Sequence, residues 1–201
     1  RPYDVVANLP YHITSPILHR MLGTGPEAAP RPERLVLMVQ REVADRIAAP
    51  PGKMSYLSAF VQYHAAVRIA LAVPPAAFYP EPGVESAVIV VEPVPADAPD
   101  RLDPHDEDEL WRLVQAAFRE RRKMLHNVLS RQLSLPADRV DRALAAAGIA
   151  RDRRPQTVSV GEWRTLALAL GRLPGDLRGR TREERARAVE VAGAEAAEAG
   201  E

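Results

Sequence analysis

The chain has 201 residues, and its 27 basic side chains balance 27 acidic ones. A hydrophobic content of 46% and a charged content of 27% are typical of a globular protein and exclude a largely disordered or membrane-embedded chain. The absence of cysteine excludes disulfides, thiolate metal sites and a cysteine nucleophile. The sequence opens without an apolar signal segment and its five histidines lack metal-ligand spacing, so we expect a cytoplasmic protein with no membrane segment and no metal.

The zero net charge conceals an asymmetry along the chain. Residues 1–110 hold 9 basic and 15 acidic side chains, residues 111–180 hold 15 and 6, and residues 181–201 hold 3 and 6, which gives net charges of −6, +9 and −3. The basic central block favours a polyanionic partner, because clustered cations release counterions from a phosphate backbone. An arginine-rich solvated helix surface explains the same composition equally well, so charge alone leaves both interpretations open.

Strands alternate with helices over the first half of the sequence. Apolar runs of strand length, the first of them read as short and buried, occur at residues 3–7, 35–39, 67–73 and 86–91. Helical patterns occur at residues 15–22, 41–48 and 57–66. This alternation predicts an α/β unit over residues 1–95 whose sheet is mostly parallel with an antiparallel edge.

Beyond a linker rich in proline and aspartate, the patterns are all helical. Asp103 and Pro104 predict a helix start, and Ser159 with Glu162 has the spacing of a capping box before another helix. We therefore expect a small helical unit over residues 101–171. Residues 172–201 are charged and rich in alanine without aromatic residues, which predicts a disordered tail.

The segment Asn8-Leu9-Pro10-Tyr11 follows directly on the first predicted strand, where α/β proteins place their sites. The Asn8 amide oxygen and the Leu9 carbonyl oxygen are acceptors suited to the two N–H groups of a planar amine such as adenine N6. Holding both N–H groups favours a pyramidal nitrogen whose lone pair can attack an electrophile. Pro10 stiffens the turn and Tyr11 offers a ring on which a base can stack. Taken alone, an ordinary Asn-Pro turn explains the same four residues.

A second segment, residues 78–88, combines an aromatic pair, Phe78 and Tyr79, with a loop stiffened by two prolines and the start of a strand at Ser86. Such a loop suits the clamping of a flipped-out base, although a Phe78 buried in the core is the alternative. A third segment places cations beside an apolar helical stripe, which is typical of a helix that contacts phosphates. These cations are Arg119, Arg121, Arg122 and Lys123.

Together these segments resemble the ribosomal RNA adenine dimethyltransferase family, of the kasugamycin-susceptibility type that acts on small-subunit RNA. The resemblance extends to about Leu170. It includes residues 5–11, 40–46, 62–63, 73–78 and 80–88, and the pattern Phe-x-x-Arg-Arg-Lys-x-Leu-x-Asn-x-Leu at residues 118–129. It implies part of a Rossmann-like catalytic domain that uses S-adenosylmethionine, followed by a helical RNA-binding domain.

The resemblance also implies the reaction and the roles of residues. Two methyl groups would pass successively to N6 of two adjacent adenines in a small-subunit hairpin during ribosome biogenesis, on an immature subunit and by a monomeric enzyme. Asn8 would contact the methyl donor and the target amine, Leu9 would supply its carbonyl, and Tyr11 and Phe78 would stack on the adenine. Arg119, Arg121, Arg122 and Lys123 would contact RNA.

The family's glycine-rich cofactor loop lies before the strand that starts here at Tyr3. We therefore expect a chain that lacks the first half of the catalytic domain, has an open sheet edge, and by itself neither binds the methyl donor tightly nor methylates RNA. Two other functions stay open. One is methylation of large-subunit RNA, as in macrolide resistance, and the other is a non-catalytic RNA-binding assembly factor. A third, methylation of an amine on DNA or on a small molecule, is disfavoured by the basic helical unit.

Overall fold

The computed structural model describes residues 2–24, 28–95 and 97–174, and Tyr11 by its backbone alone. The described residues fall into two compact units, the first within residues 1–49 and 60–95 and the second within residues 50–59 and 96–179. Most of the predicted tail, residues 175–201, lies outside the described residues. In the described ranges no helix combines the length and apolarity needed to cross a bilayer.

A four-stranded sheet forms the centre of the first unit. Its strands in chain order are β1 (Asp4–Asn8), β2 (Arg34–Gln40), β3 (Ala65–Val73) and β4 (Ser86–Pro93). Their order in the sheet is β1-β2-β4-β3, with β1 parallel to β2, and β4 antiparallel to both β2 and β3. Three strands therefore run in one direction. The prediction of an α/β fold is confirmed.

The predicted antiparallel edge is present as the pair of β3 and β4, in which β3 is the edge strand and β4 lies one place inside it. Burial explains the order. The β4 run from Ser86 to Val91 is almost wholly buried, which suits a central strand covered on both faces. Strand β3 carries the exposed charge of Arg68 and suits the edge.

Strand β1 forms the other edge of the sheet, and the prediction that it is buried was wrong. Asp4, Val6 and Asn8 are exposed on one side of it, with 78% of Val6 accessible to solvent. On the opposite side, Val5 and Ala7 are half-buried. Only β2 pairs with β1 among the described strands, and a strand at an edge shields only part of its side chains.

Three helices accompany the sheet, and their buried apolar side chains contribute to the core. They are α1 (Thr14–Leu22), α2 (Arg41–Ile47) and α3 (Tyr56–His64), which runs on from residues assigned to the second unit. Helix α1 begins before the predicted cap Ser15, because a 3-10 turn at Tyr11–Ile13 leads straight into it. The core of the unit includes Leu18, Leu22, Leu37, Val39, Ile47 and Ile89.

The second unit is helical, as predicted. Its helices are α4 (Pro104–Phe118), α5 (Leu125–Gln132), α6 (Ala137–Ala146) and α7 (Val160–Leu170). The Asp103 carboxylate accepts hydrogen bonds from the backbone N–H groups of His105 and Asp106, which confirms the predicted start of α4. The capping box of Ser159 and Glu162 is also present at the start of α7. The buried residues include Leu113, Leu125, Val140 and Trp163.

Candidate active site and basic turn

The Asn8-Leu9-Pro10 segment emerges from the carboxyl end of β1. The pairing of β1 with β2 stops at Asn8 and Met38, and the Leu9 N–H then donates a last hydrogen bond of 3.2 Å to the Met38 carbonyl. The Leu9 carbonyl therefore lies beyond the last paired residue. The Leu9 side chain is buried and anchors the turn, whereas Asn8 is exposed. The Asn8 amide is accordingly available to a ligand at this edge of the sheet.

The backbone after Leu9 is held in one course. Pro10 has φ −56° and ψ 133°, and its carbonyl accepts a hydrogen bond of 3.2 Å from the Ile13 N–H. Tyr11 begins the 3-10 turn that this bond closes. Since proline fixes φ, the turn directs the chain from strand to helix with little conformational freedom. The stacking role of Tyr11 stays a prediction.

The Phe78 loop lies at the same end of the sheet as Asn8, where the carboxyl ends of β1 and β2 lie. The loop, residues 74–85, joins the carboxyl end of β3 to the start of β4, and Ser86 pairs with Gln40 at the carboxyl end of β2. Strand β4 lies two strand spacings from β1, roughly 10 Å. The Phe78 side chain is half-buried, and the Phe78 backbone N–H donates a 3.0 Å hydrogen bond to the Pro75 carbonyl. Topology therefore brings the two predicted segments to one end of the first unit.

This end of the sheet offers hydrogen-bond acceptors for a planar amine. The Asn8 amide oxygen and the Leu9 carbonyl oxygen are both acceptors on consecutive residues, in a turn whose backbone is fixed. A partly accessible aromatic ring at Phe78 adds an apolar surface suited to a heterocycle. Such an arrangement can bind an amino-substituted base by its N–H groups. Within the described residues, no group of three or more histidine or carboxylate side chains is placed to hold a metal ion.

A buried stack of rings supports the helix that follows the Asn8 segment. The His19 ring stacks on Phe60 at 4.1 Å between centroids, and Phe60 in turn lies 4.5 Å from His64. Burial lowers the pKa of His19 and outweighs the opposing effect of its 2.8 Å hydrogen bond with the Ser15 carbonyl. Arg31 donates hydrogen bonds to the carbonyls of Leu22 and Val94. The stack therefore has a packing role in the first unit.

The predicted RNA-contacting cations lie in a turn of the second unit and not on a helix. Helix α4 ends at Phe118 and α5 starts at Leu125, so residues 119–123 form the exposed connection. The prediction that these cations lie on a helix was therefore wrong. Charged residues at five consecutive positions favour solvation over the packing that would extend either helix.

The cations of the second unit differ in how far they are neutralised. Glu120 pairs with Arg131, and hydrogen bonds from Arg131 and Gln132 hold the pKa of its carboxyl group below the usual range. Arg119 contacts the Gln132 amide oxygen at 3.4 Å. Among the described residues, Arg121 and Arg122 have no carboxylate partner within 4.0 Å, and both are exposed. The turn therefore presents uncompensated positive charge.

One exposed side chain at the sheet edge did not enter the predicted site. Tyr79 follows Phe78 directly and is completely accessible to solvent, with a relative exposure of 102%. The pair of aromatic residues was visible in the sequence, but nothing in a local pattern tells which of the two rings is packed and which is free.

Comparison with known families and curated proteins gives one consistent result. A family model described as "Ribosomal RNA adenine dimethylase" matches residues 1–170. Among relatives, "Ribosomal RNA small subunit methyltransferase A" of Synechococcus elongatus is 42% identical over 177 residues, covering 85% of this chain and 60% of the relative. The protein of the same name from Anaeromyxobacter dehalogenans is 45% identical over 172 residues, covering 83% of this chain and 57% of the relative. The chain thus spans about 60% of the length of these relatives.

Solved structures share the fold. A dimethyladenosine transferase from Plasmodium falciparum superposes with a TM-score of 0.68 at 23% identity, over 83% of this chain and 66% of that one. The 23S rRNA methyltransferase ErmE superposes with a TM-score of 0.66 at 25% identity, over 85% of this chain and 66% of that one. The α/β unit therefore has a known fold of Rossmann-like type.

Proposed function

The chain belongs to the ribosomal RNA adenine dimethylase family, and on that premise we propose that the protein dimethylates N6 of two adjacent adenines in small-subunit ribosomal RNA. The observation that carries the proposal is the position of Asn8. Asn8 is exposed at the carboxyl end of β1. The carbonyl group of the next residue, Leu9, lies beyond the last residue pair that joins β1 to β2. The curated relatives, whose printed names specify the small subunit, support that choice of substrate.

The chemistry asked of these residues is activation of a weak nucleophile. The exocyclic nitrogen of adenine shares its lone pair with the ring, which makes it planar and unreactive. Hydrogen bonds from its two N–H groups to the Asn8 amide oxygen and the Leu9 carbonyl favour a pyramidal nitrogen with its lone pair directed outward. Pro10 contributes by keeping both acceptors in a fixed relation, so little reorganisation is needed as the bond forms.

The donor supplies an electrophilic methyl group on a positively charged sulfur. With the donor bound, the nitrogen held by Asn8 and Leu9 would accept this methyl group, and the donor would leave as a neutral thioether that keeps the electrons of the former C–S bond. The nitrogen becomes positively charged and loses a proton to water, so no side chain has to act as a base beforehand. One further round replaces the remaining hydrogen on the same nitrogen.

Asn8 is the residue of this chain that we assign to the methyl donor as well. A short polar side chain at the carboxyl end of a strand fits one contact to a bound S-adenosylmethionine, since ligands of α/β sheets lie beyond these strand ends. We assign Tyr11 and Phe78 to stacking on the target base, and the cations at residues 119 and 121–123 to RNA phosphates.

We extend the proposal to the cellular setting. The partner is an immature small ribosomal subunit in the cytoplasm, and the protein acts on it as a monomer without a metal. The printed small-subunit names of the relatives support the partner. Sedimentation of the purified protein measures the oligomeric state.

The experiment is a substitution in the chromosomal gene, so that the protein is tested as the cell makes it. Asn8→Ala should lower dimethylation of small-subunit RNA by roughly 100-fold or more, the cost of removing one preorganised polar contact at the reacting atom. Asp4→Ala is the matched control, because Asp4 is exposed on the same side of the same strand but at its other end. Primer extension reads the modification, since a dimethylated adenine cannot pair and stops the polymerase.

The alternatives predict different results in the same cells. Unchanged dimethylation in the Asn8→Ala strain would refute the catalytic assignment and favour a non-catalytic assembly factor. Loss of a modification in large-subunit RNA, with the small subunit unaffected, would favour the activity named for ErmE.

A further inference from the structure

Among the residues whose side chains the structure describes, Tyr79 differs from the other large apolar side chains by its complete exposure. Its ring is fully accessible, compared with 78% for Val6 and 44% for Val84 on the same loop. A single exposed apolar residue carries no meaning by itself. The position of Tyr79 is informative, because the loop of residues 74–85 lies at the end of the sheet from which Asn8 and Leu9 emerge.

The backbone separates the two neighbouring rings. Phe78 is extended, with φ −120° and ψ 155°. Successive side chains on extended backbone point in opposite directions. The burial agrees, since Phe78 is half-buried and Tyr79 is free of the protein. The two rings therefore point to different sides of the loop, and each is available to a different base.

The charge of the loop restricts what it can bind. Residues 74–85 contain the carboxylates Glu81 and Glu85 and no lysine or arginine. These carboxylates repel a phosphate backbone, so the loop has no electrostatic means of holding one. What it offers to a nucleic acid is ring surface, and stacking on a ring accepts any base because every base has a π-face.

We infer that Tyr79 stacks on the nucleotide next to the target adenine and so acts as a positioning residue for the RNA strand. The inference rests on the proposed function, which places the target base at Asn8. Tyrosine suits the task, because it supplies a large rigid contact area and has only two side-chain torsions to immobilise. Stacking of the neighbouring base on Tyr79 would keep that base apart from the target adenine while the adenine occupies the site.

The test measures binding of the chain to a ten-nucleotide oligoadenylate by fluorescence anisotropy. Tyr79→Ala should weaken binding by roughly 5- to 150-fold, the range found when one base-stacking aromatic is truncated. Tyr79→Phe should bind like the wild type, whereas Tyr79→Leu, which keeps apolar area but no π-face, should bind like the alanine variant. Val84→Ala, on the same loop, is the control and should leave binding unchanged.

A second readout separates stacking from charge. Removal of Tyr79 should lower the affinity equally at every salt concentration, because no phosphate contact is lost. The inference is overturned if Tyr79→Ala binds like the wild type, if Tyr79→Leu binds like Tyr79→Phe, or if the wild-type chain does not bind the oligoadenylate. A surface for a protein partner would give the first of these results. Loss of dimethylation in the Asn8→Ala strain would leave the proposed function intact in each case.

Discussion

Neutralising the unpaired cations of the basic turn should weaken RNA binding by an amount that the structure allows us to calculate. The change is the double substitution Arg121→Gln and Arg122→Gln, since both guanidinium groups are exposed and lack a carboxylate partner among the described residues. If each contacts one phosphate, the slope of log affinity against log salt should fall by about 1.4 to 1.8. Between about 1 M and 0.15 M salt this corresponds to a loss of roughly 10- to 30-fold in affinity at the lower concentration.

The assay titrates the chain against a small-subunit RNA hairpin at several salt concentrations. Arg142→Gln is the matched control, because Arg142 is also exposed in the second unit but forms a 2.7 Å ion pair with Asp138. A cation that is already paired releases few counterions, so this variant should keep the wild-type slope. Equal slopes for the wild type and the double variant would refute the assignment of the turn to phosphates. A drop in affinity without a change in slope would show a structural effect instead.

Three further predictions concern stability. Ser159→Ala removes the cap of α7 and should cost about 1 kcal/mol in urea unfolding followed by tryptophan fluorescence, while Thr165→Ala on the exposed side of that helix should cost little. Val39→Ala should cost about 2 kcal/mol because Val39 is fully buried, whereas Val6→Ala should cost less than about 0.5 kcal/mol, as read by circular dichroism. His19 is held neutral by burial, so its folded-state pKa lies below the unfolded value of 6.5 and protonation favours unfolding. The urea midpoint of the wild type should therefore fall as the pH drops below about 6.5, and His19→Gln should lose that part of the dependence.

Much of the fold was accessible to local reasoning. The starts of α4 and α7 were predicted because their signals, Asp103–Pro104 and Ser159 with Glu162, act within a few residues. The strands were predicted because an apolar run of four to eight residues is typical of a strand. The order of the strands in the sheet was not predicted. It depends on which strand can bury both of its faces, and β4 does so whereas β3 does not.

The candidate site divides in the same way. Asn8, Leu9 and Pro10 were predicted from adjacent letters, because a strand followed by Asn-x-Pro-Tyr defines its own local geometry. The relation of this segment to Phe78 required the sheet, since only the register of β1, β2 and β4 places segments seventy positions apart at the same end of the first unit.

By itself, the amino-acid sequence determined the α/β and helical halves and the family, and it led to the proposal for the chemistry at Asn8. Only the tertiary structure decided that Tyr79 is free while Phe78 is packed, and that Arg121 and Arg122 lack carboxylate partners among the described residues while Arg131 and Arg142 have them. The reason is physical. Secondary structure and motifs depend on neighbours along the chain, whereas exposure and ion pairing depend on residues that folding brings from elsewhere.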